Sequence, residues 1–138
     1  MMWVTWEDVG IDRIGSAWLI RRFVDPDAEF LFVARGAALP PEAEPFDVPG
    51  ARLSHHHGHS TFHTLLDEHN LTDPALRRLA RIVDEADTVQ EVALEPAASG
   101  LDLICRGIRR TSPDDHIALD RGAFVYDALY AQIAAEPD

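Results

Sequence analysis

The chain has 138 residues, of which 46% are hydrophobic and 26% charged, and this composition is typical of one folded domain spanning 1–138 rather than of a disordered or coiled-coil protein. Its 24 acidic and 12 basic residues give a net charge of -12, so we expect neither nucleic acid nor an anionic membrane as a partner of this chain. All 12 basic residues are arginine, which excludes lysine Schiff-base chemistry and the lysine of phosphate-binding loops.

The sequence predicts a cytoplasmic protein. Its first residues, MMWVTWEDVG, lack the basic and then apolar segments of a secretory signal. No apolar run approaches the roughly 20 residues that a membrane-spanning helix needs. Cys105 is the only cysteine, so it cannot form an internal disulfide, and its apolar surroundings in LDLIC predict a buried, unreactive thiol.

The first third of the chain predicts two strands separated by a helix. WVTW at 3–6 is aromatic and β-branched, and EFLFV at 29–33 is apolar throughout, so both favour strands. Between them, the apolar residues from Ile11 to Phe23 recur at helical spacing, and the Asp25-Pro26 pair ends that helix.

The middle of the chain predicts a long connection followed by short elements. Four prolines lie between 35 and 50, which favours an irregular surface segment. We expect a third short strand at 53–55. A short helix should begin at Thr61 and end near Asn70, with its apolar side chains inward.

The C-terminal half predicts three helices. Asp73-Pro74 is a strong helix start, and that helix should reach Asp87. A second helix is expected at 99–110. The third should have Ser112 as its cap and Pro113 in its first turn. The residues expected to face inward on these helices are Leu76, Leu79, Ala80, Val83, Leu101, Leu103, Ile104, Ile108, Leu119, Ala123, Tyr126, Tyr130 and Ile133.

These elements predict an α+β fold, in which a small sheet of two or three strands is covered by about five helices and the C-terminal half is mostly helical.

Two titratable residues stand where an apolar residue would continue a buried helix face. Asp87 lies four residues after Val83, and it needs a partner if it is buried; a cap or a structural ion pair would also explain it. His116 lies three residues before Leu119, on the predicted inward face of the last helix. The positive end of that helix would keep the imidazole neutral and able to bind a metal.

The sequence SHHHGHSTFH at 54–63 carries five of the seven histidines. His55, His59 and His63 are spaced by four, as are His63 and Asp67, and such pairs chelate a metal when they share a helix face. Gly58 and Ser60 argue against a helix across the whole segment, so the His63 and Asp67 pair has the best geometry. A solvated loop with weak metal affinity is the alternative.

Five blocks of the chain resemble the C-terminal domain of the chromate resistance protein B family. They occur in the same order and cover nearly the whole sequence: IDRIGSAWLIRRFVDPDAEFLFV, PFDVPG, a histidine seven residues before Phe62, DPALRRLARIVDEAD and DDHIALDRGAFVYDALYA. The resemblance implies a bacterial cytoplasmic protein with a proposed role in chromate-dependent regulation. Longer members carry an additional N-terminal region, and any DNA-binding role of that region is not expected of this chain.

The resemblance also implies functional positions. These are Asp12, Arg13, His55, Asp87, Asp115 and His116. Ser16-Ala17 and Ser60 stand where relatives often have cysteine, so thiol-based reduction of chromate is not expected here.

The leading hypothesis is a metal-binding sensory or accessory domain. His55, Asp87 and His116 would hold a divalent first-row ion such as zinc, iron, nickel or manganese, with His63 or Asp67 as an added ligand. Arg13 would help to bind an oxyanion such as chromate beside the metal.

Two other hypotheses belong to different classes. The first is a metal-dependent enzyme with an open coordination position, in which Asp12 or Asp115 is the general base beside Arg13. The second is a metal-free interaction domain whose polar cluster is a hydrogen-bonded network. Dimerisation through the apolar helix faces stays open.

Overall fold

A computed structural model describes residues 1–90 and 92–136, and its sheet has three parallel strands in the order β2-β1-β3. The strands are β1 (Met2–Trp6), β2 (Glu29–Val33) and β3 (Glu44–Pro45). The central strand pairs on both sides, since Trp3 lies opposite Phe30 in β2 and opposite Glu44 in β3. The first two strands confirm the sequence prediction.

The third strand was predicted at the wrong place. It lies at Glu44–Pro45, inside the segment expected to be irregular, whereas Leu53 forms only an isolated bridge with Phe46. The backbone N–H of Phe46 donates to the carbonyl of Val4 at 3.0 Å and extends this edge. Proline is tolerated there because an edge strand needs only one side of its backbone paired.

The predicted helix after Gly10 is confirmed, as α1 (Ile11–Leu19) followed by a π-helical turn at Ile20–Val24. The helix α1 packs closely against the last helix of the chain. A Cβ atom on Gly15 would lie 2.5 Å from the hydroxyl of Tyr126, and that hydroxyl donates to the carbonyl of Ile11 at 2.8 Å. The start of α1 is therefore held firmly against the core.

The remaining helices are α2 (Thr61–Glu68), α3 (Pro74–Asp87), α4 (Ala97–Thr111) and α5 (Asp115–Ala135). Their starts follow local capping chemistry, since Ser60 accepts from the N–H of His63 and Asp73 accepts from the N–H of Ala75. Asn70 has a φ of 54°, in the left-handed region that ends many helices. The α+β class with five α-helices in the described residues is confirmed.

Two details of the last helices were predicted wrongly. Asp114, not Ser112, caps α5, because α4 continues to Thr111 and the Ser112 hydroxyl donates back to the carbonyl of Ile108. Leu103 and Ile104 are 69% and 49% exposed rather than inward. The helix α4 buries a narrower face than its apolar content suggested.

The core is rich in aromatic side chains that join α1, α2 and α5. Trp18 contacts most of them, and the ring of Phe62 stacks on it at a centroid distance of 6.3 Å. Cys105 is buried, as predicted, and burial raises the pKa of its thiol to about 12. Within the described residues, no helix combines the length and apolar character needed to cross a bilayer.

Candidate functional site

A cleft of about 430 Å³ opens where the start of α1 meets the loop before α2 and the end of α3. Its wall carries groups of both charge signs. The ionisable residues that line it are Asp8, Asp12, Arg13, Arg35, Asp47, His55, Asp87 and Arg109.

Asp12 is the buried anchor of the cleft, with 3% of its surface exposed. Its carboxylate accepts hydrogen bonds from the backbone N–H groups of Thr61 at 2.9 Å and Phe62 at 3.0 Å. These two N–H groups belong to the first turn of α2, where no partner exists within the helix. The α1 carboxylate thus sits at the positive end of α2 and joins the two helices.

His55 brings an imidazole nitrogen to three carboxylates. Its Nε2 atom lies 2.8 Å from Asp12 Oδ2, 3.3 Å from Asp87 Oδ2 and 3.5 Å from Asp47 Oδ1. The hydrogen bonds to Asp12 and then Asp87 raise the pKa of His55 to about 10. A positive charge is therefore strongly favoured at this point of the cleft.

Asp47 adds a third carboxylate, which sequence analysis did not single out although it lies in PFDVPG. The hydroxyl of Thr61 donates to it at 2.7 Å, and Arg13 Nε lies 3.1 Å from its Oδ2 atom. Arg13 also donates to the backbone carbonyl of Asp47. Burial and the neighbouring charge of Asp12 raise the pKa of Asp47 to about 7.

Three of these side chains form a candidate cation site. One ligand atom each from Asp12, His55 and Asp87 lies within 4.8 Å of the others. Two carboxylate oxygens and one imidazole nitrogen are donors that manganese, iron and zinc accept. The structure therefore brings together His55 and Asp87, two of the predicted ligands, and adds Asp12, which the sequence predicted as a catalytic residue.

A second candidate group lies beside the cleft and consists of His59, His63 and Asp84, here called the histidine pair site. The Nδ1 atoms of His59 and His63 lie 2.8 and 2.9 Å from the same oxygen, Asp84 Oδ2. The two rings stack at a centroid distance of 3.9 Å. Burial raises the pKa of Asp84, but hydrogen bonds from Ser60, His59 and His63 outweigh it and leave that pKa below its ordinary value.

A tight turn places His59 in this group. The backbones of His56 and His59 exchange two hydrogen bonds, and the two residues between them, His57 and Gly58, have φ values of 54° and 77°. Two consecutive positive φ angles are typical of a two-residue hairpin turn, where glycine is favoured. The segment is therefore ordered by its own backbone rather than helical.

Three predicted site residues lie elsewhere. His116 is exposed and meets the ring of Phe32 edge-on at 4.9 Å, so its predicted inward position on α5 was wrong and it belongs to neither candidate group. Asp115 accepts hydrogen bonds from the N–H groups of Asp8 and Val9 and does not line the cleft. Asp67 pairs with Arg77 at 2.6 Å, with its other oxygen 3.7 Å from His63 Nε2.

Asp84 was not among the residues predicted from the sequence, although a signal was present. Asp84 lies four residues after Ala80 and eight after Leu76, so it shares their helix face. Its exposed fraction is only 5%. His59 was noted for its spacing but was left out of the predicted ligand set.

Comparison with known proteins gives two matches. A family model described as "ChrB, C-terminal domain" matches residues 3–133. Protein ChrB of Cupriavidus metallidurans is 34% identical over 134 residues, which is 96% of this chain and 41% of that protein. The chain therefore spans less than half the length of this relative. No solved structure matches the chain.

Proposed function

The chain belongs to the ChrB C-terminal domain family, and from this premise we propose that it acts in chromate resistance by binding a divalent cation and an oxyanion side by side in the cleft. The observation that supports the proposal is that carboxylate and imidazole side chains line the same cavity as arginine side chains.

The cation would lie between Asp12, His55 and Asp87. Three carboxylates converge on one imidazole nitrogen there, and their mutual repulsion is costly unless a positive charge balances it. Asp12 is held in place by the N–H groups of α2, and its Oδ2 atom already lies 2.8 Å from His55 Nε2. Manganese, iron and zinc all suit this donor set.

The oxyanion would bind to Arg35 and Arg109, which line the same cleft. Arg35 and Arg109 are exposed, and among the described residues neither forms an ion pair. Arg13, the arginine favoured by the sequence, is already bound to Asp47 and supports the wall instead. Planar guanidinium groups bind tetrahedral oxyanions through paired hydrogen bonds.

The negative net charge of the chain limits where an oxyanion can bind. A net charge of -12 repels any anion at long range, so binding requires a local positive region. A bound cation together with Arg35 and Arg109 would supply it. Cation and oxyanion should therefore bind cooperatively, each raising the affinity for the other.

Calorimetric titration of molybdate, a tetrahedral oxyanion that is harder to reduce than chromate, tests this proposal on protein with and without Mn²⁺. We expect binding only with Mn²⁺, and about tenfold weaker binding after Arg109→Gln, since charge-assisted hydrogen bonds contribute about 1.5 to 3 kcal/mol. Arg110→Gln is the matched control, because this exposed neighbour does not line the cleft. Equal losses in the two variants, or binding independent of Mn²⁺, would contradict the proposal.

The cleft is open to solvent, which also favours the second hypothesis, a metal-dependent enzyme whose substrate occupies the free coordination positions. Mn²⁺-dependent hydrolysis of a phosphate or carboxylate ester would distinguish the two functions. An enzyme would lose this turnover in Asp87→Asn and keep it in Asp120→Asn, an exposed aspartate outside the cleft.

A further inference from the structure

The histidine pair site has the donor geometry of a second, separate metal site. Two imidazole nitrogens, from His59 and His63, approach one carboxylate oxygen of Asp84 at 2.8 and 2.9 Å. All three ligand atoms lie within 4.8 Å of one another, so one ion between them would contact each. We propose that His59, His63 and Asp84 bind a first-row transition ion of the zinc and cobalt class, independently of the cleft.

The carboxylate is fixed before any metal arrives. The backbone N–H and the hydroxyl of Ser60 donate to Asp84 Oδ1 at 2.8 and 2.7 Å. The other oxygen, Oδ2, is therefore held toward the two histidines. Asp84 and Ser60 are both buried, so solvent does not compete for these hydrogen bonds.

The two imidazoles are fixed by different parts of the backbone. His63 lies in the first turn of α2, where its N–H donates to the Ser60 hydroxyl at 3.2 Å. His59 follows the hairpin turn at His57 and Gly58. Ordered ligands lose little entropy on binding, which favours metal affinity.

The stacking of the rings also favours a shared ion. With ring centroids 3.9 Å apart, the two imidazoles lie side by side, and both Nδ1 atoms contact the same oxygen of Asp84. An ion bound at this point would therefore contact both rings and the carboxylate.

Asp67 lies within ion-pair distance of His63 and would act as a positioning residue once the ion is bound. Its Oδ2 atom lies 3.7 Å from Nε2 of His63, the nitrogen that would stay free when Nδ1 binds the ion. Metal-binding histidines commonly donate their other N–H to a carboxylate, which orients the ring. Arg77 holds Asp67 in place. In this proposal Asp67 has a supporting role, whereas the sequence predicted it as a ligand.

The ratio of imidazole to carboxylate donors determines which metals the histidine pair site favours. Two imidazoles and one carboxylate favour zinc, cobalt, nickel or iron over magnesium and calcium, which prefer oxygen. The cleft, with more carboxylates than imidazoles, suits a harder ion. His59 is 45% exposed, so the open side of the histidine pair site leaves room for water as a further ligand.

Cobalt titration tests this site apart from the cleft. Untagged protein carrying Asp87→Asn, which disables the cleft site, is stripped with chelator and titrated with Co²⁺ while its visible absorption is recorded. We expect about one equivalent to bind with the d–d bands of a nitrogen-ligated ion, and Zn²⁺ to displace it. The Asp87→Asn background separates failure of this site from failure of the cleft proposal.

Three further variants in the same background decide the ligands. His59→Gln and His63→Gln should each weaken Co²⁺ binding at least about tenfold. His57→Asn is the matched control, because it removes an exposed histidine of the same loop with a residue that tolerates positive φ. Circular dichroism confirms that each variant is folded. An equal loss in His57→Asn, or no loss in His59→Gln and His63→Gln, would overturn the proposal.

Discussion

The cleft and the histidine pair site both depend on the start of α2, but they differ in the ratio of carboxylates to imidazoles. In the cleft, three carboxylates surround the imidazole of His55, whereas in the histidine pair site two imidazoles surround the carboxylate of Asp84. Both are built on a buried aspartate, Asp12 from α1 in one case and Asp84 from α3 in the other.

The first turn of α2 explains how both aspartates can be buried. Three consecutive backbone N–H groups are divided between them, since Ser60 donates to Asp84 while Thr61 and Phe62 donate to Asp12. Free N–H groups at a helix start are natural partners for carboxylates. The Oδ2 atom of each aspartate also lies within 2.9 Å of a histidine nitrogen, so one helix end organises two sites.

The largest expected effect is on stability, and it should differ between Asp12, which is buried in the cleft, and Asp87, which lies at the exposed rim. Asp12→Ala removes the partner of two buried N–H groups and should destabilise the protein by about 3 to 5 kcal/mol. Asp87→Ala, at the exposed rim, should cost less than about 1 kcal/mol. Urea denaturation at pH 7 measures both. Similar small losses would show that Asp12 does not hold α2 to α1.

A smaller effect is expected at Asp67, beside the histidine pair site. Asp67→Asn should weaken Co²⁺ binding by about tenfold, because it removes the charge that orients His63. Glu68→Gln is the control, since Glu68 also pairs with a surface arginine, Arg52. Equal Co²⁺ affinities in Asp67→Asn and Glu68→Gln would mean that Asp67 forms only a surface ion pair and does not support His63.

The smallest expected effect is a pH dependence of folding stability, which is caused by His55 in the cleft. In metal-free protein the pKa of His55 is raised from 6.5 to about 10, so folding favours its protonated form. The resulting stability is complete below about pH 6.5 and is lost as the pH rises toward 10. His55 is 44% exposed, and after allowance for solvent screening we expect a loss of about 1 kcal/mol.

Urea denaturation of the wild type and His55→Gln, at pH 6 and pH 9.5 with chelator present, isolates this contribution. The difference in stability between the two proteins should shrink at the higher pH. A difference that grows with pH would mean that His55 is not held as the cation by Asp12 and Asp87.

Local sequence signals predicted the elements that depend on neighbouring residues. Asp73-Pro74 begins α3 because capping and proline geometry act within one turn, and EFLFV forms β2 because its whole length is apolar. The strand at Glu44–Pro45 could not be predicted, since it is two residues long, contains proline and exists only through pairing with β1.

The candidate sites were predicted only in part for a similar reason. Helical phase placed Asp87 on the buried face of α3, whereas Asp87 is exposed at the rim of the cleft. Phase could not show that Asp84 turns toward the N–H of Ser60. Phase also placed His116 inward, whereas the first turn of α5 presents it to Phe32 and solvent. The family resemblance supplied Asp12 and His55, whose partners come from separate parts of the chain.

Anomalous diffraction at the zinc edge, from crystals of untagged protein grown with Zn²⁺, tests the central claim that one helix start organises two metal sites. We predict one peak between His59, His63 and Asp84, and a second between Asp12, His55 and Asp87. Peaks on the exposed His56 and His57 side chains with neither of these positions occupied would contradict the account.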